Sequence, residues 1–280
     1  MGKILSMYRV TLRTLASSVC AGAFLGLGTL ASLVDANEIA SPLNGTGILY
    51  GGDYPKGINT TCITKILSDD IGESPSKAFL LQQGCATGDM MPDGSFFSYQ
   101  KVSLDGVRLS DGAKQWYCVI DDVSGLMWEV KQTENTHGDY HLLNDKFTWY
   151  NSNTKTNGGN IGTWNRDGAS CHGYSNGKLR SYCHVEQFVS RVNKQGLCGF
   201  HDWRLPVRAE LTSLIHFGRL QPAIDISYFP NTLNSFYWAM NPVAGRAIEA
   251  WAINFEFGFA SPLRKTDLRP ARLVRLVNEQ

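Results

Sequence analysis

The chain predicts an α+β domain behind an export leader. Three observations carry that expectation: two consecutive segments with apolar residues at helical spacing, strand-like alternation before and after them, and six cysteines downstream of a signal-peptide-like N-terminus.

The leader comes first. Lys3, Arg9 and Arg13 precede an uncharged stretch from Thr14 to Val34, rich in Ala, Leu and Gly. Such a layout is read by export machinery, with cleavage expected after Ala36; the alternative is a retained membrane anchor, since the stretch approaches the length of a spanning helix. Cys20 follows Val19 rather than the small residue expected ahead of a lipidated cysteine, so it belongs to the discarded segment. The whole chain has 26 basic and 25 acidic side chains, a net charge of +1; removing residues 1–36 takes away three basic residues and Asp35, leaving −1. A chain this balanced has no overall attraction to nucleic acid or anionic lipid, and any electrostatic recognition has to come from a local patch.

Cys62, Cys85, Cys118, Cys171, Cys183 and Cys198 remain. An even number behind an export signal favours disulfides, although sequence alone does not select among the pairings. Local loops favour Cys62–Cys85 and Cys171–Cys183, which leaves Cys118–Cys198 as a long-range tie. Zinc is the competing reading. No closely spaced Cys pair exists, and His172 and His184 read as loop residues, so no metal and no cofactor are expected.

Residues 37–112, rich in Gly, Ser, Asn and Asp with short apolar runs, are expected to form a small irregular module; the main domain spans residues 113–280. Trp116, Cys118 and Ile120 alternate, Asp121 to Gly125 forms a turn, and Leu126 and Trp128 continue as a second strand. Asn151 to Gly177 is dominated by Asn, Gly, Ser and Thr, which cannot bury much apolar surface and predict a long surface loop. Trp149, Tyr150, Trp164 and Tyr174 accompany it, either to stack on sugar rings or to pin the loop. Val185, Phe188, Val189 and Val192 predict a helix ending near Gly196, and Leu211, Leu214 and Ile215 a second between Pro206 and Gly218. Strands follow at Phe236 to Met240, Ala250 to Phe257 and Leu273 to Val277.

The run Trp203-Arg204-Leu205-Pro206-Val207-Arg208-Ala209-Glu210-Leu211 resembles the signature of the bacterial family DUF1566, the C-terminal domain of the Legionella collagen-like adhesin. SGLMWEVK at 124–131, TWYN at 148–151, NGGNIGT at 157–163, LCGFHDWRLP at 197–206, YFPNT at 228–232, YWA at 237–239 and RLVR at 272–275 extend the resemblance in order. It implies a C-type-lectin-like fold, with two helices packed on a small antiparallel, twisted sheet with long loops. The domain is also distantly similar to formylglycine-generating enzymes, but no cysteine follows Cys198, so their oxidation chemistry lacks its residues. In this reading Trp128, Trp203 and Leu205 enter the core, Pro206 begins the second helix, Arg204 and Glu210 pair, and Arg272 closes the fold. Val207 stands where the family usually has a capping Thr, so capping worth about 1 kcal/mol has to come from elsewhere.

The resemblance further implies an adhesin-like binding protein, some of whose relatives recognise sulfated polysaccharide. The matching zone supplies Asn241, Arg246, Trp251, Asn254, Glu256, Arg264 and Lys265 as candidate ligand contacts, with Trp164 from the loop. Residues 258–280 hold Arg264, Lys265, Arg269, Arg272 and Arg275 against Asp267 and Glu279, a local excess of +3 that suits acidic or sulfated glycans. The sequences Met240-Asn241-Pro242 and Trp164-Asn165-Arg166 lack the carboxylates of the lectin calcium triplets, so no calcium is expected. His137, His141, His201 and His216 form no recognisable acid and base set with Asp139 or Asp202, so the expectation is a non-enzymatic, exported protein whose partner is a glycan or a surface protein. Either partner is compatible with an oligomer. A subunit or assembly factor of a surface appendage is the alternative, and a hydrolase a more distant one.

Overall fold

The computed structural model describes residues 51–53, 57–59, 97–134, 141–165 and 168–277. The leader, Cys20, His137 and the expected Cys62–Cys85 pair lie outside the described residues. Strands β1 (Gly51–Asp53) and β2 (Gly57–Asn59) pair as an antiparallel hairpin. A four-stranded antiparallel sheet follows, in the order β3 (Tyr99–Val102), β4 (Cys118–Asp121), β5 (Leu126–Glu129) and β9 (Val274–Leu276). A three-stranded antiparallel sheet takes β6 (Phe236–Val243), β7 (Arg246–Asn254) and β8 (Phe259–Arg264) in order. Helices α1 (Val185–Gln195) and α2 (Arg208–Thr212) complete an α+β architecture. Among the described residues no helix is long and apolar enough to cross a membrane.

The β4–β5 hairpin forms where alternation predicts it. Asp121 Oδ1 accepts hydrogen bonds from the Val123 and Ser124 amides, and Gly125 takes φ 66°, a left-handed conformation that closes the turn. Alternation here does not divide core from solvent, because both strands are buried on both faces. Cys118, Ile120 and Met127 enter one apolar cluster, with Phe147, Trp149, Phe188 and Trp238; Val119, Leu126 and Trp128 enter another, with Leu211, Phe229, Tyr237 and Ile253. The sheet thus lies between two cores. Strand β3 falls inside the segment expected to be a separate module over residues 37–112, yet pairs with β4 from Tyr99 to Val102, so the folded core begins before the expected start at 113. Gln100 and Lys101 hide the strand in the sequence; Lys101 is buried because its ammonium bonds the Asp111 and Ala113 carbonyls over the Trp116 ring.

Helix α1 buries Val185, Phe188 and Val192 on one stripe and ends at Gly196. Helix α2 is shorter than the spacing of Leu211, Leu214 and Ile215 predicts, although all three are buried. Its end has a local cause: the Ser213 and Thr212 hydroxyls bond back to the Glu210 and Arg208 carbonyls, offering an alternative to a further turn. Two expected disulfides are present. Cys118–Cys198 spans 80 residues and ties β4 to the segment after α1, whereas Cys171–Cys183 spans 12 and closes the end of the long loop.

A charged group sits at the centre. The Glu129 carboxylate, fully buried, accepts from Lys131 Nζ at 2.6 Å and His141 Nδ1 at 2.8 Å through Oε1, and from the Leu273 amide at 2.8 Å through Oε2. Burial alone would raise its pKa; the Lys131 ammonium and the two side-chain hydrogen bonds overcome this and hold it at about 2. Since the carboxylate stays ionised, His141 presents a protonated Nδ1 to it. Arg272, also fully buried, donates to the Glu129 carbonyl and to Thr232 Oγ1, with Phe229 and Tyr237 against its guanidinium.

Lys131→Met should therefore cost about 3–5 kcal/mol, because it leaves a buried carboxylate short of its cation. Urea unfolding of the disulfide-intact protein measures this, and adding Glu129→Gln should cost less than the sum of the single changes. A second expectation concerns His184, whose Nδ1 caps α1 by accepting from the Gln187 amide. Burial, then the nearby Arg191 charge, lower its pKa from 6.5 to about 4. Above pH 6.5 His184 is neutral in both folded and unfolded chains; between 6.5 and 4 only the unfolded chain takes up the proton, so stability falls with pH by about 3 kcal/mol. His184→Asn, which caps without titrating, should flatten that part of the pH profile.

Candidate ligand-binding surface

The run at residues 203–210 builds the floor under the candidate surface. Trp203 is buried and donates Nε1–H to the Leu197 carbonyl, Leu205 and Pro206 are buried, and Arg204 grips Glu210 with two bonds of 2.8 and 2.6 Å. Pro206 lies two residues before α2 rather than at its first position. The capping that Val207 cannot supply comes from two sides: Glu210 Oε2 accepts from the Val207 amide at 2.8 Å, and Asn241 Oδ1, reaching from β6, accepts from the Arg208 amide at 2.6 Å. Asn241 therefore fastens α2 to the three-stranded sheet.

That placement sets Arg208 over β7. Its guanidinium lies 4.5 Å from the centroid of the half-buried Trp251 ring. Pro262 stands opposite Trp251 on β8, and Arg264 opposite Glu249. Arg246 bridges to Glu249 at 2.9 Å. Arg208 thus lies over the Trp251 indole at one end of the sheet, where the exposed Arg246 pairs with Glu249 and the exposed Arg264 stands opposite Glu249 on β8. Guanidinium forks match sulfate and carboxylate oxygens, and an indole offers an apolar face to a sugar ring. Arg208 is the member sequence reasoning missed. A cation in the first turn of a helix opposes the helix dipole, and that misplacement is the one signal that could have singled it out.

Other expected contacts lie elsewhere. Asn254 is buried at the opposite end of β7, where Oδ1 accepts from the Glu256 and Phe257 amides and shapes the turn into β8; Glu256 belongs to that turn. The C-terminal basic excess does not form a patch. Arg272 is internal, Arg275 pairs with Asp202 at 2.6 Å and covers the Phe200 ring, and Arg269 lies near Asp267 and Phe236.

Lys265 is the largest departure. It is only 2% exposed, and its ammonium donates to the Asn157 and Asn160 carbonyls at 2.8 and 2.6 Å while resting 4.3 Å from the Trp149 ring centroid. It acts as an internal cation beneath the loop, not as an outward ligand contact. The Asn-rich tract above it is built from repeated short turns: Asn151, Asn153, Asn157 and Asn160 each accept, through Oδ1, from the amide two residues on. Gly162, at φ 92°, is required where the loop returns, since a Cβ there would lie 2.1 Å from the Trp149 carbonyl oxygen. Trp164, 42% exposed, lines an open cavity of about 790 Å³ with Tyr150, Ile161, Thr163 and Asn165.

A family model described as the Lcl C-terminal domain matches residues 117–275. No curated protein and no solved structure matches the chain.

Lys265→Met should remove the ammonium from two loop carbonyls and destabilise the protein by about 2–4 kcal/mol. Thermal unfolding checks the cost, and faster hydrogen exchange confined to amides of residues 151–163 checks its location.

Proposed function

Because the chain belongs to the Lcl C-terminal domain family, we propose that it is an exported, non-enzymatic binding protein that holds acidic or sulfated glycans on the Arg208–Trp251 face. The observation that carries this reading is the half-buried Trp251 indole under the exposed Arg208 guanidinium, with the exposed Arg246 and Arg264 beside the neighbouring Glu249. The two disulfides and the signal-peptide-like leader support export. A C-type-lectin-like arrangement is consistent with the α+β architecture and belongs to the same proposal. The non-enzymatic reading draws support from the role of the buried histidine and carboxylate: both Glu129 oxygens are occupied by groups that hold the fold together.

A second reading is favoured by one observation. Phe217, Leu220 and Phe257 are exposed around the β7–β8 turn, where the Gln221 amide donates to the Glu256 carbonyl and Phe217 packs against Gly258. Such an apolar surface suits a protein partner in a surface assembly.

A glycan array probed with residues 37–280 at low and high salt, with and without chelator, separates the two. The glycan reading expects a salt-sensitive, chelator-insensitive signal on sulfated or carboxylated glycans, reduced about tenfold by Trp251→Ala or Arg264→Ala. A blank array from folded, disulfide-intact protein, or binding indifferent to both changes, would sink it in favour of the protein partner.

A further inference from the structure

A smaller cavity, of about 240 Å³, lies between the Asn-rich loop and α1. Tyr150, Val185, Val189, Leu205 and Met240 give it apolar walls, while Thr156 and Glu186 bring a hydroxyl and a carboxylate to it. Glu186 is half-buried, and its Oε2 accepts from the Ser152 amide at 2.7 Å; among the described residues no hydrogen bond engages Oε1. Thr156 Oγ1 accepts from Asn151 Nδ2 at 3.0 Å, so its hydroxyl proton is left to donate. The Arg204 guanidinium also lines the cavity but is already gripped by Glu210. Asn151 and Asn153 also line the cavity, which thus combines apolar surface with the Glu186 carboxylate, the Thr156 hydroxyl and neutral amides, while its basic group is paired.

This is the chemistry of a sugar ring without charge. A pyranose has C–H groups that lie on apolar walls and hydroxyls that donate to a carboxylate and accept from a threonine. The volume falls below the roughly 300–1,000 Å³ typical of pockets for larger ligands, which limits the occupant to about one ring. A sulfated or carboxylated sugar would meet the Glu186 carboxylate and be disfavoured. The walls are preformed: Lys265 and the repeated Asn turns hold the loop, and the Val185 amide donates to the Thr148 carbonyl at 3.0 Å to fix α1 beside it. We propose that this cavity is a subsite for a single uncharged pyranose ring, separate from the Arg208–Trp251 face and independent of what that face binds.

Saturation-transfer NMR on disulfide-intact residues 37–280 tests it, with the methyl glycosides of glucose, galactose and mannose, N-acetylglucosamine and galactose 6-sulfate as probes. The expected result is transfer to at least one uncharged probe that is unchanged in high salt, at least tenfold weaker in Glu186→Ala, and unchanged in Trp251→Ala and Arg264→Ala. Val189→Trp should abolish it by filling the cavity; if that variant misfolds, Glu186→Ala and Thr156→Val carry the test at the exposed rim. The proposal is overturned if no uncharged probe receives transfer, if transfer survives Glu186→Ala, or if, with Trp251→Ala and Arg264→Ala both in place, galactose 6-sulfate binds more tightly than methyl galactoside. Because the array signal is expected to fall with Trp251→Ala or Arg264→Ala and the transfer only with changes in the cavity, either reading can fail while the other stands.

Discussion

The Glu129 carboxylate organises the domain from its centre. Taking a carboxylate fully out of water is costly, and only a partner set of matching charge and geometry offsets that cost. Here the set is drawn from three places in the chain: Lys131 just beyond β5, His141 from the following segment, and the Leu273 amide just before β9. Arg272 adds a second buried charge, reaching the Glu129 carbonyl and Thr232. Because β5 is buried on both faces, a one-residue slip would exchange the residues meeting the two clusters and strand the carboxylate among apolar side chains. The polar centre therefore specifies register where hydrophobicity alone would leave it ambiguous.

The same economy governs the loop. Its composition excludes a large apolar core of its own, and order comes instead from hydrogen bonds made by Asn side chains to amides two residues on. Lys265 then ties the loop to the end of β8 by donating to two loop carbonyls. A cation that is part of the chain does for this loop what a bound ion could do elsewhere. The cavities on either side, one lined by Trp164 and the other by Glu186 with Tyr150 reaching both, are shaped by the covalent chain itself.

Basic residues separate by task according to where the backbone puts them. Arg272 and Arg275 are internal and held by backbone, aromatic and carboxylate partners, whereas Arg208, Arg246 and Arg264 are exposed, with Arg208 over Trp251. Counting charges along residues 258–280 mixes the two groups. Only their placement on strands and on the short helix separates outward-facing guanidinium groups from those closing the core.

Much of the fold was legible in the residues. Local causes determined the β4–β5 hairpin, through Asp121 and Gly125, and helix α1, through its apolar stripe and Gly196. Cysteine positions pointed to the Cys171–Cys183 and Cys118–Cys198 bridges, and the 203–210 run to the Arg204–Glu210 pair. Long-range placement decided the rest. Lys265 and Arg264 are adjacent in sequence, yet one is buried beneath the loop and the other exposed. Asn241 looks like a ligand contact but caps a helix 33 residues away, and Arg208 looks like a solvated helix residue but covers Trp251. Sequence by itself determined which segments could become helix, strand, turn or crosslink, because those choices depend on neighbours in the chain. Which polar side chains face outward and which are enclosed was settled only by the tertiary fold, because that depends on partners brought in from distant strands and loops.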